Sequence, residues 1–167
     1  MLKLNKRLLS AAGALVAAAS LAVTGVTAAS AGSTGSSGTE FLQVMSTSAT
    51  SATQPVIVRG VFTDYGIDHS GDTVDTLVLQ KGSFKVAHSP GTGPQHFNPK
   101  TCLNRVNQHG TYRIFHGTGK YRGIHGHGTY HVSLLFFAAR VAGKCSETKP
   151  PVAFQLIITA SGPVRLP

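Results

Sequence analysis

Apolar positions recur with a period of two along most of the chain, in short blocks separated by glycine, proline and polar turns. Residues 55–62, PVIVRGVF, are mostly β-branched and apolar, with Gly60 placed as a bulge. A polar loop is expected from Asp64 to Asp72, followed by the strand TVDTLVLQ, the turn Lys81-Gly82 and the strand SFKVAH. Residues 73–88 therefore read as a hairpin, with Phe84, Val86 and His88 on one face. Ser89 to Pro99 carries three prolines and two glycines and reads as loop. TCLNRVNQ and TYRIFH form two further strands joined by His109-Gly110. TYHVSLLFFAAR continues the pattern, with Tyr130, Val132, Leu134 and Phe136 directed to the core. The last element, VAFQLIITAS, sets Val152, Phe154, Leu156 and Ile158 on one face.

No segment beyond the N-terminal region holds a helical apolar period over ten residues without a break. The expectation is an all-β single domain of seven to nine strands, arranged as one antiparallel β-barrel of about eight strands or as a β-sandwich. Closure favours the barrel because it removes exposed edges.

The N-terminal region departs from this pattern. Lys3, Lys6 and Arg7 precede the apolar run Leu8 to Val26, and Ala29-Ser30-Ala31 supplies the small residues of a cleavage site. Residues 1–31 read as a secretory signal peptide cleaved after Ala31, which predicts a secreted, extracellular protein with no stable membrane insertion afterwards. Residues 32–53, mostly Ser, Thr, Gly and Ala, read as a flexible tail in which Phe41 to Met45 forms at most a short edge strand. The barrel domain is assigned to residues 54–167. Loss of Lys3, Lys6 and Arg7 takes the formal charge from +9 to +6. A basic exported protein is attracted to anionic envelope polymers, although its basic residues are scattered along the chain. Export also predicts that Cys102 and Cys145 pair in a disulfide. The bridge closes a loop of roughly 44 residues, for which chain entropy gives about 4 kcal/mol.

Candidate chemistry centres on His116 to Tyr130, HGTGKYRGIHGHGTY. Gly119-Lys120 lacks both the upstream glycine and the following Ser or Thr of a phosphate-binding loop, and Gly117-Thr118-Gly119 is followed by Arg122 where a dinucleotide fingerprint needs glycine. No nucleotide cofactor is called for, and none of any other kind. His125, His127 and His131 share strand parity and are the metal candidates, against the alternative of a polar outer face. Asp64, Asp68, Asp72 and Asp75 lack calcium-loop spacing and read as a solvated loop. No G-x-S-x-G elbow is present. Tyr112, Arg113, Phe115, Lys120, Tyr121 and Arg122 mix aromatic and basic residues, but export argues against a nucleic-acid partner.

Gly117-Thr118-Gly119-Lys120-Tyr121-Arg122-Gly123, followed by Gly126-His127-Gly128-Thr129-Tyr130, resembles the glycine hairpin of dirigent and allene oxide cyclase-like barrels. Thr101-Cys102-Leu103 and the segment Cys145-Ser146 to Phe154 also resemble a group of small secreted bacterial proteins of unassigned function. The resemblance implies an eight-stranded antiparallel barrel whose apolar interior holds a small hydrophobic ligand. The matched positions carry none of the polar active-site residues of those barrels. Three functions follow as expectations: non-catalytic binding of a small apolar ligand or an envelope polymer, an enzyme on a small apolar substrate, or a structural envelope protein. Arg113, Tyr121 and His125 are the residues expected at the ligand, and for the enzyme they would supply acid, base or anion stabilisation.

Overall fold

The computed structural model describes residues 35–167. The expected signal peptide and its cleavage site lie outside the described residues. The strands are β1 (Ser36–Ser46), β2 (Thr53–Arg59), β3 (Asp64–His69), β4 (Val74–Leu79), β5 (Gly82–His88), β6 (Gln95–Asn98), β7 (Leu103–Phe115), β8 (His125–Phe137), β9 (Arg140–Val141), β10 (Lys144–Cys145) and β11 (Ala153–Leu166). All pairings are antiparallel, in the order β5-β4-β3-β2-β1-β11-β8-β7, and β5 also pairs with β7. That last pairing closes an eight-stranded barrel. Strand β6 adds outside the closure, on the first part of β7.

Several local expectations need correction. Ser36 to Ser46, expected to be mostly tail, is an eleven-residue strand paired with both β11 and β2. Its Ser/Thr/Gly half reaches strand geometry through tertiary pairing rather than propensity, and β1 thereby joins the two halves of the barrel. The barrel begins at Ser36 rather than residue 54. Asp64 to His69, expected as loop, is β3, and Gln95 to Asn98 is β6 within another segment expected as loop. His109-Gly110 does not join two strands but continues one, since β7 runs unbroken through it beside β8. Val152, expected on the core face, is 73% exposed and precedes β11.

The glycine stretch is a plug followed by a strand. Residues Gly119–Tyr121 form a 3₁₀ turn, the one helical element among the described residues, held by amides of Thr118 and Lys120 donating to the carbonyls of Ser83 and Lys81. Gly119 and Gly123 have φ of 57° and 79°, a region costly for other residues. This turn presents Tyr121 to one end of the barrel, where it is buried against Phe62 and Phe84 with ring centroids 4.7 and 5.6 Å apart. Val58, Ile114, Ile124 and Val164 complete this filled end.

Cys102 and Cys145 form the expected disulfide, with Cα atoms 5.4 Å apart. The bridge ties the β9–β10 hairpin to the start of β7. Cys145→Ser is expected to lower unfolding stability by about 2–4 kcal/mol, read as a shift in denaturation midpoint against the oxidised parent. An unchanged midpoint would show that the crosslink restrains little in the unfolded chain.

Candidate functional site

The barrel is filled at the Tyr121 end and hollow at the other. A cavity of about 330 Å³ is bounded by Leu42 and Val44 of β1, Leu77 of β4, Val86 of β5, Tyr112 of β7, Tyr130 and Val132 of β8, and Ile158 and Ala160 of β11. Its depth comes from cross-strand pairing of tyrosine with glycine. Tyr112 stands opposite Gly128 and Tyr130 opposite Gly110. A Cβ at Gly110 would lie 2.6 Å from the Tyr130 ring, and one at Gly128 would lie 2.8 Å from the Tyr112 ring. The glycines let both rings lie flat on the wall instead of filling the lumen.

Asp68, Asp72, Asp75, His88 and Gln108 also border the cavity, and Asp72, like Pro90, is exposed at the opening. Asp68 is only 2% exposed, and its Oδ1 has no hydrogen-bond partner. Its Oδ2 lies 3.5 Å from the Ser70 hydroxyl, whose single hydrogen is better placed on Gln54 Oε1 at 2.7 Å. Burial, reinforced by the nearby Asp75 charge, pushes the Asp68 carboxyl up to about 7. His88 Nε2 lies 3.6 Å from Asp75 Oδ1, and its ring meets Tyr130 edge to face, with centroids 6.2 Å apart. The Tyr130 hydroxyl donates to the Ser89 carbonyl at 2.7 Å, which fixes the β5–β6 connection beside the opening.

Deeper in the barrel, burial pushes the Tyr112 hydroxyl up to about 12, with the Glu40 charge adding to it. This hydroxyl has no partner either. Glu40 is fully buried and accepts the Phe62 amide at 3.2 Å, while its Oε1 is unpartnered. Burial raises its carboxyl to about 6. Asp64, nearest the plug, differs. Burial opposes its ionisation, but donation from the Tyr121 hydroxyl and the amides of Tyr65 and Lys81 outweighs that and holds it below the usual carboxylate range.

The residues expected from sequence at a ligand do not meet in this cavity. Tyr121 is the buried plug at the filled end. Arg113 is exposed on the outer surface of β7, its guanidinium 5.3 Å from the Phe115 ring centroid. His125, His127 and His131 are exposed on the outer face of β8. Among the described residues no three His, Cys, Asp or Glu side chains are placed to share a metal ion.

Of the four aspartates expected in a solvated loop, Asp64 and Asp68 are instead the polar part of the interior, Asp75 lies half-buried on β4, and Asp72 is exposed between β3 and β4 as expected. β2 places Val56 and Val58 inside, and these pair with Gly66 and Asp64, so β3 points Asp64 and Asp68 inward and Tyr65 and Ile67 outward. Apolar periodicity taken alone gives β3 the opposite facing. The available signal is the alternation of Asp64, Gly66 and Asp68 with Tyr65 and Ile67, a strand pattern with its polar face inward.

A second hollow, about 770 Å³, lies beneath the disulfide loop. Its walls include the exposed side chains of Gln95, Phe97, Lys144 and Lys149, which makes it a surface groove. The barrel cavity is walled mainly by buried and half-buried side chains, with Asp72 and Pro90 exposed at its rim.

The chain is thus a closed eight-stranded antiparallel β-barrel with an internal cavity and an acidic opening. No family model, curated protein or solved structure matches it. The barrel expectation stands on the strand pairing alone.

Proposed function

We propose that this chain is an exported binding protein that holds a small, largely apolar molecule inside the barrel. The observation that carries this reading is the cavity itself: well-packed cores leave few voids larger than a water molecule, and this one has apolar walls with a few convergent polar groups. A purely structural barrel has no need of tyrosines laid flat over glycine to keep its lumen open. Every Lys and Arg among the described residues is exposed, and none borders the cavity, so contact with an anionic envelope polymer would use a separate surface.

Native mass spectrometry of protein purified from its own culture medium tests the reading. A bound small molecule is expected in the parent and lost in Ala160→Phe, whose ring would occupy the cavity at a cost of about 1–3 kcal/mol. Reproducible absence of any bound mass would count against it.

A second reading is supported by His88 and Asp75 beside Asp68, which supply an acid and a base at the edge of an apolar site. An enzyme acting on a small apolar substrate would use these three residues rather than Arg113, Tyr121 or His125. Turnover, rather than retention, of the co-purified molecule would favour it.

A further inference from the structure

We propose that the molecule held in the cavity is a small apolar cation: a hydrocarbon or aromatic body bearing one protonated amine, with the amine seated between Asp68 and Asp75. This rests on the reading of the cavity as a ligand site and adds the chemical class.

Charge is distributed unevenly between the cavity and the rest of the chain. The chain carries 15 Lys and Arg against 6 Asp and Glu, yet the charged side chains bordering the cavity are Asp68, Asp72 and Asp75, with His88 beside them and no Lys or Arg. An anionic ligand would meet carboxylates and no counter-charge. A neutral one would leave them unused.

Asp68 itself points to a donor that the protein does not supply. It is 2% exposed, borders the cavity, and has an oxygen without a partner. Buried polar atoms are almost always hydrogen-bonded, and an orphaned carboxylate oxygen is costly to retain. Ser70 is committed to Gln54, so Asp68 has no good donor within the protein. A ligand ammonium supplies the missing donor and the opposite charge together. The tyrosine rings on the wall add a favourable surface for a cation, and Leu42, Val86 and Ile158 accommodate the apolar body.

Proton uptake and release should accompany such a ligand. The groups facing Asp68 are Asp72 and Asp75 from the β3–β4 turn and β4, His88 from β5, Tyr112 from β7 and Tyr130 from β8, with Glu40 of β1 deeper in the barrel. Asp68 stays protonated in the empty cavity to about pH 7. A bound ammonium favours the carboxylate, so binding below that pH expels the Asp68 proton. Affinity for the amine therefore rises as pH approaches 7.

Isothermal titration calorimetry with three indoles of similar shape tests the inference: tryptamine, the neutral alcohol tryptophol and the anion indole-3-propionate. At pH 7.5 tryptamine is expected to bind on the order of 10-fold or more tighter than tryptophol, the usual advantage of a charge-assisted hydrogen bond. Indole-3-propionate is expected to bind weakest. At pH 6, titrations in buffers of different ionisation enthalpy should show close to one proton released per tryptamine and none per tryptophol. Asp68→Asn should abolish both the amine preference and this release, and its circular dichroism and unfolding curve establish that it is folded. Equal binding of tryptamine and tryptophol, or tighter binding of the anion, would overturn the inference and leave the ligand site standing. Failure of all three to bind would overturn both.

Discussion

Replacing Asp68 by Asn is expected to stabilise the empty protein at pH 8, by up to about 4 kcal/mol, and to change little at pH 4. The folded barrel raises this carboxyl from 3.8 to about 7, so between those values the folded state keeps a proton that the unfolded chain releases. Stability must then fall as pH rises through that window, by about 1.4 kcal/mol for each pH unit, and level off above it. Glu40, raised from 4.5 to about 6, contributes with the same sign over its own narrower window. Asp64 acts in the opposite sense. Its carboxyl is depressed, so the stability it contributes is present above the unfolded value of 3.8 and is lost at lower pH. The parent should therefore be most stable near pH 4, and thermal melts from pH 3 to 9 should show a decline towards pH 8 that Asp68→Asn flattens. A melting temperature that climbs steadily from pH 4 to pH 7 would contradict the burial of these two carboxyls.

Tyr121→Ala should be among the most damaging single changes, costing about 3–5 kcal/mol in denaturant unfolding. The loss combines the cavity left by a buried ring with removal of a donor from a buried carboxylate. Tyr121→Phe separates the two effects. It keeps the packing on Phe62 and Phe84 and deletes the hydroxyl that donates to Asp64, for an expected cost of about 1–3 kcal/mol at pH 7. Because the hydrogen bond is to an ionised acceptor, the difference between parent and Tyr121→Phe should shrink as pH falls through the carboxylate range. A Phe variant as stable as the parent at pH 7 would mean that the Tyr121–Asp64 bond contributes nothing to closing this end.

Neither Tyr121 nor Asp68 has a role that its neighbours in sequence reveal. Tyr121 sits in a glycine-rich hairpin and reads from sequence as a ligand contact, whereas its place at the barrel end depends on Ser83 and Lys81 anchoring that turn from β5 and the β4–β5 corner. Asp68 lies in a polar segment with a loop-like composition. Its inward orientation is set by the register of β3 against β2, where Val56 and Val58 occupy the interior. The histidines of β8 show the converse. Their shared parity is legible in the sequence, but parity gives a common face and not which face, and the apolar residues Tyr130, Val132 and Leu134 take the inner one.

Local chemistry suffices for an all-β chain, the β4–β5 hairpin, the inward face of Tyr130 and Val132, and a pair of cysteines able to bridge, whereas Phe136, of the same parity, walls the groove beneath the disulfide loop. Alternation, turn residues and the apolar run of β8 act over a few residues and leave a local record. Closure, register and cavity were decided by the tertiary structure. β1 is a strand because β2 and β11 supply its hydrogen bonds, and β5 meets β7 across a long connection. The cavity exists because Gly110 and Gly128 fall opposite Tyr130 and Tyr112, a coincidence of register between strands that single-strand periodicity does not encode.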